Sequence, residues 1–259
     1  MAQSLLNRAA RKLRKFTLYP RYKRYLASIS VDHPLHGIPA RLTGDASGDP
    51  TEFFDHYDAF AFWVAARISA RGARLKTLDV GSTKMMNGML SADHDVTSLV
   101  LADCGDCLSN VTYVRHDVAD PLPFPDSTFD VFTSTVSLPL LGLARYGDRL
   151  DPNCLVNLVR ELRRVMKADG ELLVSMCLGK NVLNFNNGWF FDMPTLERVF
   201  NGWAVVDRLV DRKSSPDGAS VAPSERFTGN TSVDGTRLGD YRVVFLQLRR
   251  GSSVGQQVS

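Results

Sequence analysis

The sequence predicts an α/β fold, a mostly parallel seven-stranded sheet with helices on both faces. Two observations carry this prediction. From residue 75 onward, short apolar runs alternate with segments of helical periodicity, the pattern of a parallel sheet covered on both sides. The chain has 259 residues, which is enough for one large domain of this kind. Its 44% hydrophobic and 23% charged residues are ordinary for a globular protein, so the composition does not point to another class.

The predicted elements follow one another in a regular order. A helix over about 50–71 comes first, and Gly72 ends it. A second helix over about 153–167 has leucines and valines at helical spacing, and Asp169-Gly170 ends it. A short helix over 194–200 begins with a proline at its first position. The seven strands are predicted at 75–80, 96–102, 111–114, 129–137, 171–178, 205–210 and 241–248.

Three segments outside this pattern complete the predicted organisation. Residues 1–48 form a basic N-terminal arm, with a short helix that ends near Pro20, and a linker that is part of a connecting loop over 29–50. The domain itself occupies 49–250. Within it, the stretch 214–240 is rich in Ser, Gly, Asp and Pro and is too long for a hairpin turn, which predicts a mobile loop or a lid. Residues 251–259 are predicted to be a disordered tail.

The basic arm has three possible roles. It can be a solvated segment packed loosely on the domain, or a cationic amphipathic segment that contacts an anionic membrane through residues 8–24. Its tyrosines, which alternate with basic residues, could also stack on nucleic acid bases. Nucleic acid is the least favoured partner, because a formal net charge of +3 is small. Without an apolar run of membrane-span length or the apolar core of a signal peptide, we expect a soluble, cytoplasmic protein, peripheral to a membrane if the arm binds lipid.

No metal site is expected. The chain has four cysteines, and the pair Cys104 and Cys107 lacks the second pair that a zinc site requires. His33 and His36 have no further ligand nearby. The cysteines are therefore interpreted as reduced thiols.

Candidate ligand-binding residues stand at the predicted carboxyl ends of three successive strands, where sheets of this type place their ligands. The first strand runs into Asp79, Gly81 and Ser82, and a glycine there lets the backbone pass close to a ligand. The second strand ends at Asp103, whose carboxylate can accept hydrogen bonds from ribose hydroxyls. The third ends at Asp117, which can accept from an adenine amine. Each aspartate alone could simply cap a turn, but three at successive strand ends favour a nucleotide-like ligand.

The segments LDVG, LAD, HDVADPLPFPDSTFDV and RELRRVMKADGELLVS together resemble the core of class I, S-adenosylmethionine-dependent methyltransferases. More narrowly, GLARYGDRLDPN resembles a methyltransferase-like family of unassigned function that is associated with cell-surface polysaccharide synthesis. The resemblance covers roughly residues 55–212. It implies a Rossmann-like class I methyltransferase fold and S-adenosylmethionine as the cofactor, with Val118 and Thr135 joining the strand-end residues above in the cofactor site.

The same resemblance implies a small or sugar-like methyl acceptor. Tyr146 and Asp148 are the candidates to take a proton from it, and Arg145 is the candidate to hold an anionic group. The other interpretation of this segment is a structural loop braced by an internal ion pair.

The chain also departs from that family. It has Pro139-Leu140 where the family has Glu-His, and Gly188-Trp189 where the family has a histidine and an arginine. These departures favour an alternative function, a catalytically silent methyltransferase-like module that binds a partner enzyme or a membrane surface through the basic arm.

Overall fold

The computed structural model describes residues 2–42, 55–102, 107–212 and 226–251. The predicted ribose ligand Asp103 lies outside these described residues, as do residues 214–225 of the predicted loop or lid and residues 252–259 of the predicted tail. The division of the chain at residues 48 and 250 stays a prediction.

Five α-helices lie within the described residues. They are α1 Ala2–Ala27, α2 His56–Ser69, α3 Lys84–Leu90, α4 Cys154–Val165 and α5 Met193–Val199. The strands of the same ranges are β1 Ala40–Leu42, β2 Lys76–Val80, β3 Asp95–Val100, β4 Val111–Arg115, β5 Phe129–Thr135, β6 Met166–Gly179, β7 Val182–Phe185, β8 Gly188–Phe190, β9 Trp203–Asp211, β10 Phe227–Thr228 and β11 Tyr241–Arg250.

The main sheet has the strand order β10-β9-β11-β6-β5-β2-β3-β4. Neighbouring strands from β4 to β6 are parallel, and β11 and β9 close the sheet by antiparallel pairing. The predicted fold class is confirmed, and the seven predicted strands are all present. The eighth, the two-residue β10, pairs with the outer part of β9 at one edge.

Apolar residues on both faces of this sheet form the core. In β6, Leu172 and Val174 belong to the cluster with α4 and α5, while Leu173 between them faces the cluster with α2 and α3. Val244 and Phe245 of β11 divide in the same way. This alternation explains why the central strands are apolar at consecutive positions: each is covered on both faces.

The helix α4 has the predicted amphipathic pattern but ends earlier than predicted. Its last residue is Val165, and Met166 already has the extended backbone of β6. Asp169 and Gly170, predicted to end the helix, lie inside β6, where the register against β5 shifts. The irregular first residues of β6 do not alternate in burial, so the sequence pattern does not reveal them as a strand.

The helix α1 differs from the prediction in length. It was predicted to end near Pro20, but it continues through that residue to Ala27. Proline lacks the backbone N–H of a helix interior, so the turns after it need tertiary support. Tyr22 and Tyr25 supply it: Tyr22 Oη donates to the carbonyl of Ala40 at 2.9 Å, and Tyr25 Oη accepts from Trp189 Nε1 at 2.9 Å.

The partner of α1 is a small second sheet with the order β1-β7-β8. The sequence did not predict this sheet, and β1 lies in the segment 29–50 that was predicted to be a loop. Its three strands have four residues or fewer, too few for periodicity to identify. Tyr25 and Leu35 are 1% exposed and belong to the main core, so this part of the predicted arm is packed into the domain.

Residues 226–240, the described part of the predicted loop or lid, contain the edge strand β10 and a buried ion pair. Arg226 Nη2 lies 2.7 Å from Asp211 Oδ2 of β9. A second hydrogen bond of 3.0 Å joins this guanidinium to the carbonyl of Asp55, just before α2. These contacts fix the point where the segment rejoins the sheet.

Candidate active site

A cavity of about 580 Å³ opens at the carboxyl ends of β2, β3, β4 and β5. The strand order reverses beside β2, because the chain continues to β3 and β4 on one side and to β5 and β6 on the other. A sheet of this kind binds its ligand at such a reversal. The residues that line the cavity are Tyr57, Val80, Gly81, Leu99, Val100, Leu101, Ala102, His116, Asp117, Val118, Thr135, Val136, Ser137, Leu140, Leu141, Tyr146 and Asp148.

The turn after β2 approaches the turn after β5 closely. Gly81 has φ of +73°, which an L side chain rarely adopts, and a Cβ at this position would overlap the Ser137 hydroxyl. That hydroxyl lies 2.8 Å from the carbonyl oxygen of Gly81, and Ser134 Oγ donates to the carbonyl of Val80 at 2.7 Å. Gly81 therefore permits the contact that shapes this wall of the cavity.

Asp79 lies beneath the cavity and is not among its lining residues. It is fully buried, and both carboxylate oxygens accept hydrogen bonds. Burial raises the pKa of Asp79, and these hydrogen bonds oppose the rise. The bonds fix the ends of β2, β3 and β5 and the helix α3 to one another. The donors are Asn87 Nδ2 at 3.0 Å, Ser98 Oγ at 3.1 Å, Thr133 Oγ1 at 2.9 Å and the backbone N–H of Ser82 at 3.4 Å.

Ser82 and Thr135 form the next layer. Thr135 Oγ1 lies 3.0 Å from Ser82 Oγ, and Thr135 reaches the cavity wall while Ser82 does not. Thr83 follows as the N-cap of α3, and its side chain accepts from the backbone N–H of Met86. Of the residues predicted around this turn, Gly81 and Thr135 line the cavity, whereas Asp79 and Ser82 support it from below.

Asp117 and Val118 were both predicted to bind the cofactor. They line the cavity just after the end of β4. Asp117 is half-buried, and its Oδ1 accepts from the N–H of Ala119 at 2.9 Å, which stabilises the turn. Its Oδ2 accepts from the N–H of Arg149 at 3.2 Å, linking this turn to the loop over 138–151. A carboxylate oxygen can accept more than one bond, so Asp117 retains acceptor capacity toward the cavity.

The loop over 116–128 is held in place by Arg164 of α4. Its guanidinium donates to the carbonyls of Leu122 at 2.8 Å and Phe124 at 2.7 Å. It also pairs with Glu161 at 2.7 Å and with Asp126 at 3.0 Å. A residue of the distant α4 thus positions the loop that supplies Asp117.

Val136, directly after β5, has φ of +50° and lines the cavity. The left-handed region is a genuine outlier for a β-branched residue. Its N–H donates to Ser175 Oγ at 2.9 Å, a bond that helps to hold this backbone. Strained backbone of this kind concentrates at functional sites.

The segment 142–148 carries the three predicted catalytic residues. Asp148 is buried, and its carboxylate accepts three backbone hydrogen bonds: from Gly142 at 2.9 Å, Ala144 at 3.3 Å and Tyr146 at 3.1 Å. This geometry makes Asp148 the brace of its own loop. The brace consists of backbone amides, not of the internal ion pair that the alternative interpretation expected.

Tyr146 and Arg145 project outward from this braced loop. Tyr146 lines the cavity and is 64% exposed, so it stands at the mouth. Arg145 is not among the lining residues; its Nη1 donates to the carbonyl of Asn186 at 2.9 Å, and its guanidinium lies 5.2 Å from the Tyr146 ring centre. The loop and the β7–β8 hairpin therefore meet beside the cavity.

The two segments that depart from the resembled family, Pro139-Leu140 and Gly188-Trp189, lie against each other. Leu140 lines the cavity, and a Cβ at Gly188 would lie 3.2 Å from the carbonyl oxygen of Pro139 and 3.3 Å from Leu140. Trp189 is buried and holds Tyr25 of α1. An apolar contact thus occupies the place where the family has ionisable side chains.

Among the lining residues that sequence reasoning missed, two are titratable, Tyr57 and His116. Tyr57 is in the first turn of α2, which was interpreted only as a packing helix; burial raises its pKa, so the hydroxyl stays protonated at neutral pH and can donate. His116 directly precedes Asp117 in the HDV segment. Its place beside a predicted strand-end residue was the signal from which it could have been predicted to line the cavity.

The described cysteines Cys154 and Cys177 are free thiols. Burial raises the pKa of Cys154 and of Cys177 to about 12 each, so neither is a thiolate nucleophile at neutral pH. Within the described ranges, no group of three or more His, Cys, Asp or Glu side chains is arranged to hold a metal ion. Likewise, no helix of these ranges combines the length and the apolar composition that a bilayer crossing requires.

Comparison with known proteins supports this architecture. A family model described as "Caenorhabditis protein of unknown function, DUF268" matches residues 102–226, just under half of the chain. Proteins named ubiquinone/menaquinone biosynthesis C-methyltransferase UbiE, from Shewanella oneidensis and Shewanella baltica, are 31% identical over 157 residues, 54% of this chain. The match spans about half the length of these relatives, 55%.

Solved structures share the fold at low sequence identity. The [4+2]-cyclase SpnF has a TM-score of 0.56 at 17% identity, covering 87% of this chain and 92% of that one. The 1,6-didemethyltoxoflavin-N1-methyltransferase of Burkholderia thailandensis, with bound 1,6-didemethyltoxoflavin and S-adenosylhomocysteine, has a TM-score of 0.53 at 13% identity, covering 76% and 78%. The chain therefore has the Rossmann-like fold of class I methyltransferases.

Proposed function

We propose that this protein is an S-adenosylmethionine-dependent methyltransferase that acts on a small acceptor. One observation carries the proposal: a cavity of about 580 Å³ lies where the strand order reverses, with Gly81 after β2 and Asp117 after β4 on its wall. The volume is in the range of pockets that hold a small-molecule ligand.

The cofactor residues that we propose are those nearest these strand ends. Gly81 lets the backbone approach the ligand, and Asp117 accepts hydrogen bonds from its base. Asp103, predicted to accept from the ribose hydroxyls, follows Ala102, which lines the cavity. Val118 and Thr135 line the same walls, while Asp79 and Ser82 act through the turn they support. When bound, the cofactor supplies a methyl group attached to a sulfonium. The leaving group is then a neutral thioether, which needs no acid to protonate it.

The acceptor would lie toward the loop over 138–151. Tyr146 and Tyr57 give this side aromatic faces, and Leu140 gives it an apolar one. Arg145, beside Tyr146 at the mouth of the cavity, is our candidate to hold an anionic group of the acceptor. Because three backbone amides occupy the Asp148 carboxylate, we assign it the positioning of Tyr146 and leave proton transfer to Tyr146 or to solvent.

The acceptor class that we would test first is sugar-like, as the sequence resemblance implies, since the apolar face of a sugar ring packs well on tyrosine. The UbiE relatives support methyl transfer, because their name describes a C-methyltransferase of ubiquinone and menaquinone biosynthesis. Phenolic compounds are therefore the second class to screen. The fold itself does not decide the reaction, because one neighbour is named a [4+2]-cyclase.

The cofactor assignment is tested by isothermal titration of the purified chain with S-adenosylhomocysteine, the product form of the donor. We expect binding in the micromolar range. Asp103→Ala should weaken it by roughly 100-fold, because hydrogen bonds to a charged group contribute about 1.5–3 kcal/mol each. Asp95→Ala is the matched control: Asp95 begins β3 at the opposite end of the sheet, pairs with Arg74 and is exposed.

Three outcomes are informative. Loss of affinity in Asp103→Ala but not in Asp95→Ala supports the ribose assignment. Equal affinity in both variants refutes that assignment. A folded protein that does not bind the ligand at all contradicts the proposed function and returns the catalytically silent module as the better account.

A further inference from the structure

The charges of the chain are separated between α1 and the remainder. Eight of its 31 Lys and Arg residues and none of its 28 Asp and Glu residues lie between Ala2 and Ala27. The rest of the chain therefore carries five more acidic than basic residues. The excess of positive charge in the sequence therefore lies in this helix, which favours contact with anions there.

One face of α1 is attached to the domain. Tyr25 is 1% exposed, and its ring packs on Phe185 and Trp189. The centres of the Tyr22 and Phe185 rings are 5.6 Å apart, and Leu26 packs against the core. The last two turns of the helix are therefore fixed, and so is the direction in which its other face points.

The opposite face is apolar at its centre and basic at its borders. Leu13 is 67% exposed and Phe16 80%. At 3.6 residues per turn they lie on the side of the helix away from Tyr22 and Tyr25. Three exposed basic residues flank them around the helix, namely Lys12, Lys23 and Arg24.

We propose that α1 is an interfacial helix that binds an anionic lipid bilayer. Leu13 and Phe16 would enter the boundary between headgroups and acyl chains, while the flanking lysines and Arg24 remain at the level of the phosphates. The absence of acidic residues from α1 suits a negatively charged surface, and each basic residue near such a surface contributes about a fivefold gain in partitioning. This surface requires no cofactor, so the proposal stands apart from the proposed function.

The structure favours lipid over nucleic acid as the occupant. Stacking on bases requires free aromatic faces. Tyr22 and Tyr25, two of the three tyrosines interleaved with basic residues, are instead packed against the second sheet. Among the described apolar side chains of α1, the most exposed are those of Phe16 and the aliphatic Leu13, and a leucine offers nothing to a base but fits an acyl region.

The test is flotation of the full chain with phosphatidylcholine vesicles, with and without phosphatidylserine. We expect binding to the anionic vesicles that weakens with salt, and little binding to the neutral ones. Neutralising the flanking Lys12 and Lys23 together, as K12Q with K23Q, should lower partitioning roughly 30-fold. Leu13→Ser with Phe16→Ser should lower it more than about tenfold through lost apolar contact.

Matched controls come from exposed positions elsewhere on the fold. Lys76→Gln with Arg208→Gln removes the same charge, and Val206→Ser removes an apolar side chain that is 52% exposed. Both should bind vesicles like the unaltered chain, and a thermal melt checks that every variant is folded. Equal binding by the α1 variants and the controls overturns the proposal. So does a chain that ignores vesicles but binds single-stranded RNA through the same lysines.

Discussion

Asp79 and Asp117 are both aspartates near the carboxyl ends of parallel strands, β2 and β4, yet they have different surroundings. Asp79 is fully buried and receives four hydrogen bonds from the elements around it. Asp117 is half-buried on the cavity wall. A sequence shows which residues follow a strand, but not which carboxylates turn inward to support the turn. The strand-end pattern therefore predicted where the site lies, but it did not predict which residues line the cavity and which support it.

Asp79→Ala tests this division of roles. We expect it to lower the free energy of unfolding by about 3 kcal/mol, because the Asn87 amide and the Ser98 and Thr133 hydroxyls lose a buried acceptor. Asp79→Asn keeps one acceptor oxygen and removes a carboxylate whose pKa burial raises, so it should cost only about 1 kcal/mol. Urea denaturation measures both. An Asp79→Ala variant of unchanged stability that no longer binds S-adenosylhomocysteine would show direct ligand contact instead.

The link between α4 and the loop over 116–128 is the main functional contact between elements. Glu161 and Arg164 are three residues apart on α4, and together they bind the backbone at Leu122 from both sides: Glu161 accepts from its N–H at 3.0 Å and Arg164 donates to its carbonyl at 2.8 Å. The RELRR segment was interpreted as an ordinary amphipathic helix. Its polar face holds the loop that carries Asp117.

This link predicts a pH dependence of stability. The Arg164 guanidinium lowers the pKa of Glu161 below its ordinary value, so the carboxylate stabilises the folded state above that ordinary value. The contribution is lost as the pH falls through the lowered pKa. Because the pair is partly exposed, Glu161→Gln should cost about 1 kcal/mol near neutral pH.

The difference between the unaltered chain and Glu161→Gln should therefore shrink toward zero in acid, measured by urea denaturation across the range below pH ~5. Glu197→Gln, at an exposed position of α5, is the control and should show little cost at any pH. A Glu161→Gln difference that stays constant down to the acid end would contradict the assignment of this stabilisation to the ionised carboxylate.

Elements of the main sheet were predictable where their periodicity ran long enough. The strands from β2 to β6 and the stripe of α4 from Leu155 to Val165 follow the expected patterns. The second sheet was not predictable, because its strands are short and its partner β1 is far away in sequence. The predicted end of α1 at Pro20 was wrong for a related reason. The contacts of Tyr22 and Tyr25 that stabilise the helix beyond Pro20 are tertiary, and a local sequence pattern does not show them.

For the whole molecule, chain topology assembles the site. The carboxyl ends of β2, β4 and β5 lie at one edge because these strands are parallel, and the reversal of strand order beside β2 opens the cavity that Gly81, Asp117 and Thr135 line. Their convergence followed from the alternating sequence pattern together with the known chirality of such sheets. Tyr57 could not be placed in this way, since α2 reaches the cavity by packing, not by strand order.

The charged residues are distributed unevenly between α1 and the remainder of the chain. Only α1 is free of acidic residues and strongly basic, while the remainder of the chain is acidic overall. The cavity and the basic helix are joined through the second sheet, because α1 packs on Trp189 of β8 and the adjacent Gly188 lies against Pro139 beside the cavity. A membrane-bound α1 would therefore hold the cavity at a defined orientation to the bilayer.

In the proposed function, the cavity at the strand reversal holds S-adenosylmethionine. A crystal structure of the chain grown with saturating S-adenosylhomocysteine tests this most directly. We expect the ligand in the cavity, with its base near Asp117, its ribose at Asp103 and a contact to the backbone of Gly81. Ligand bound elsewhere on the chain, or no ligand in a fully formed cavity, would contradict it.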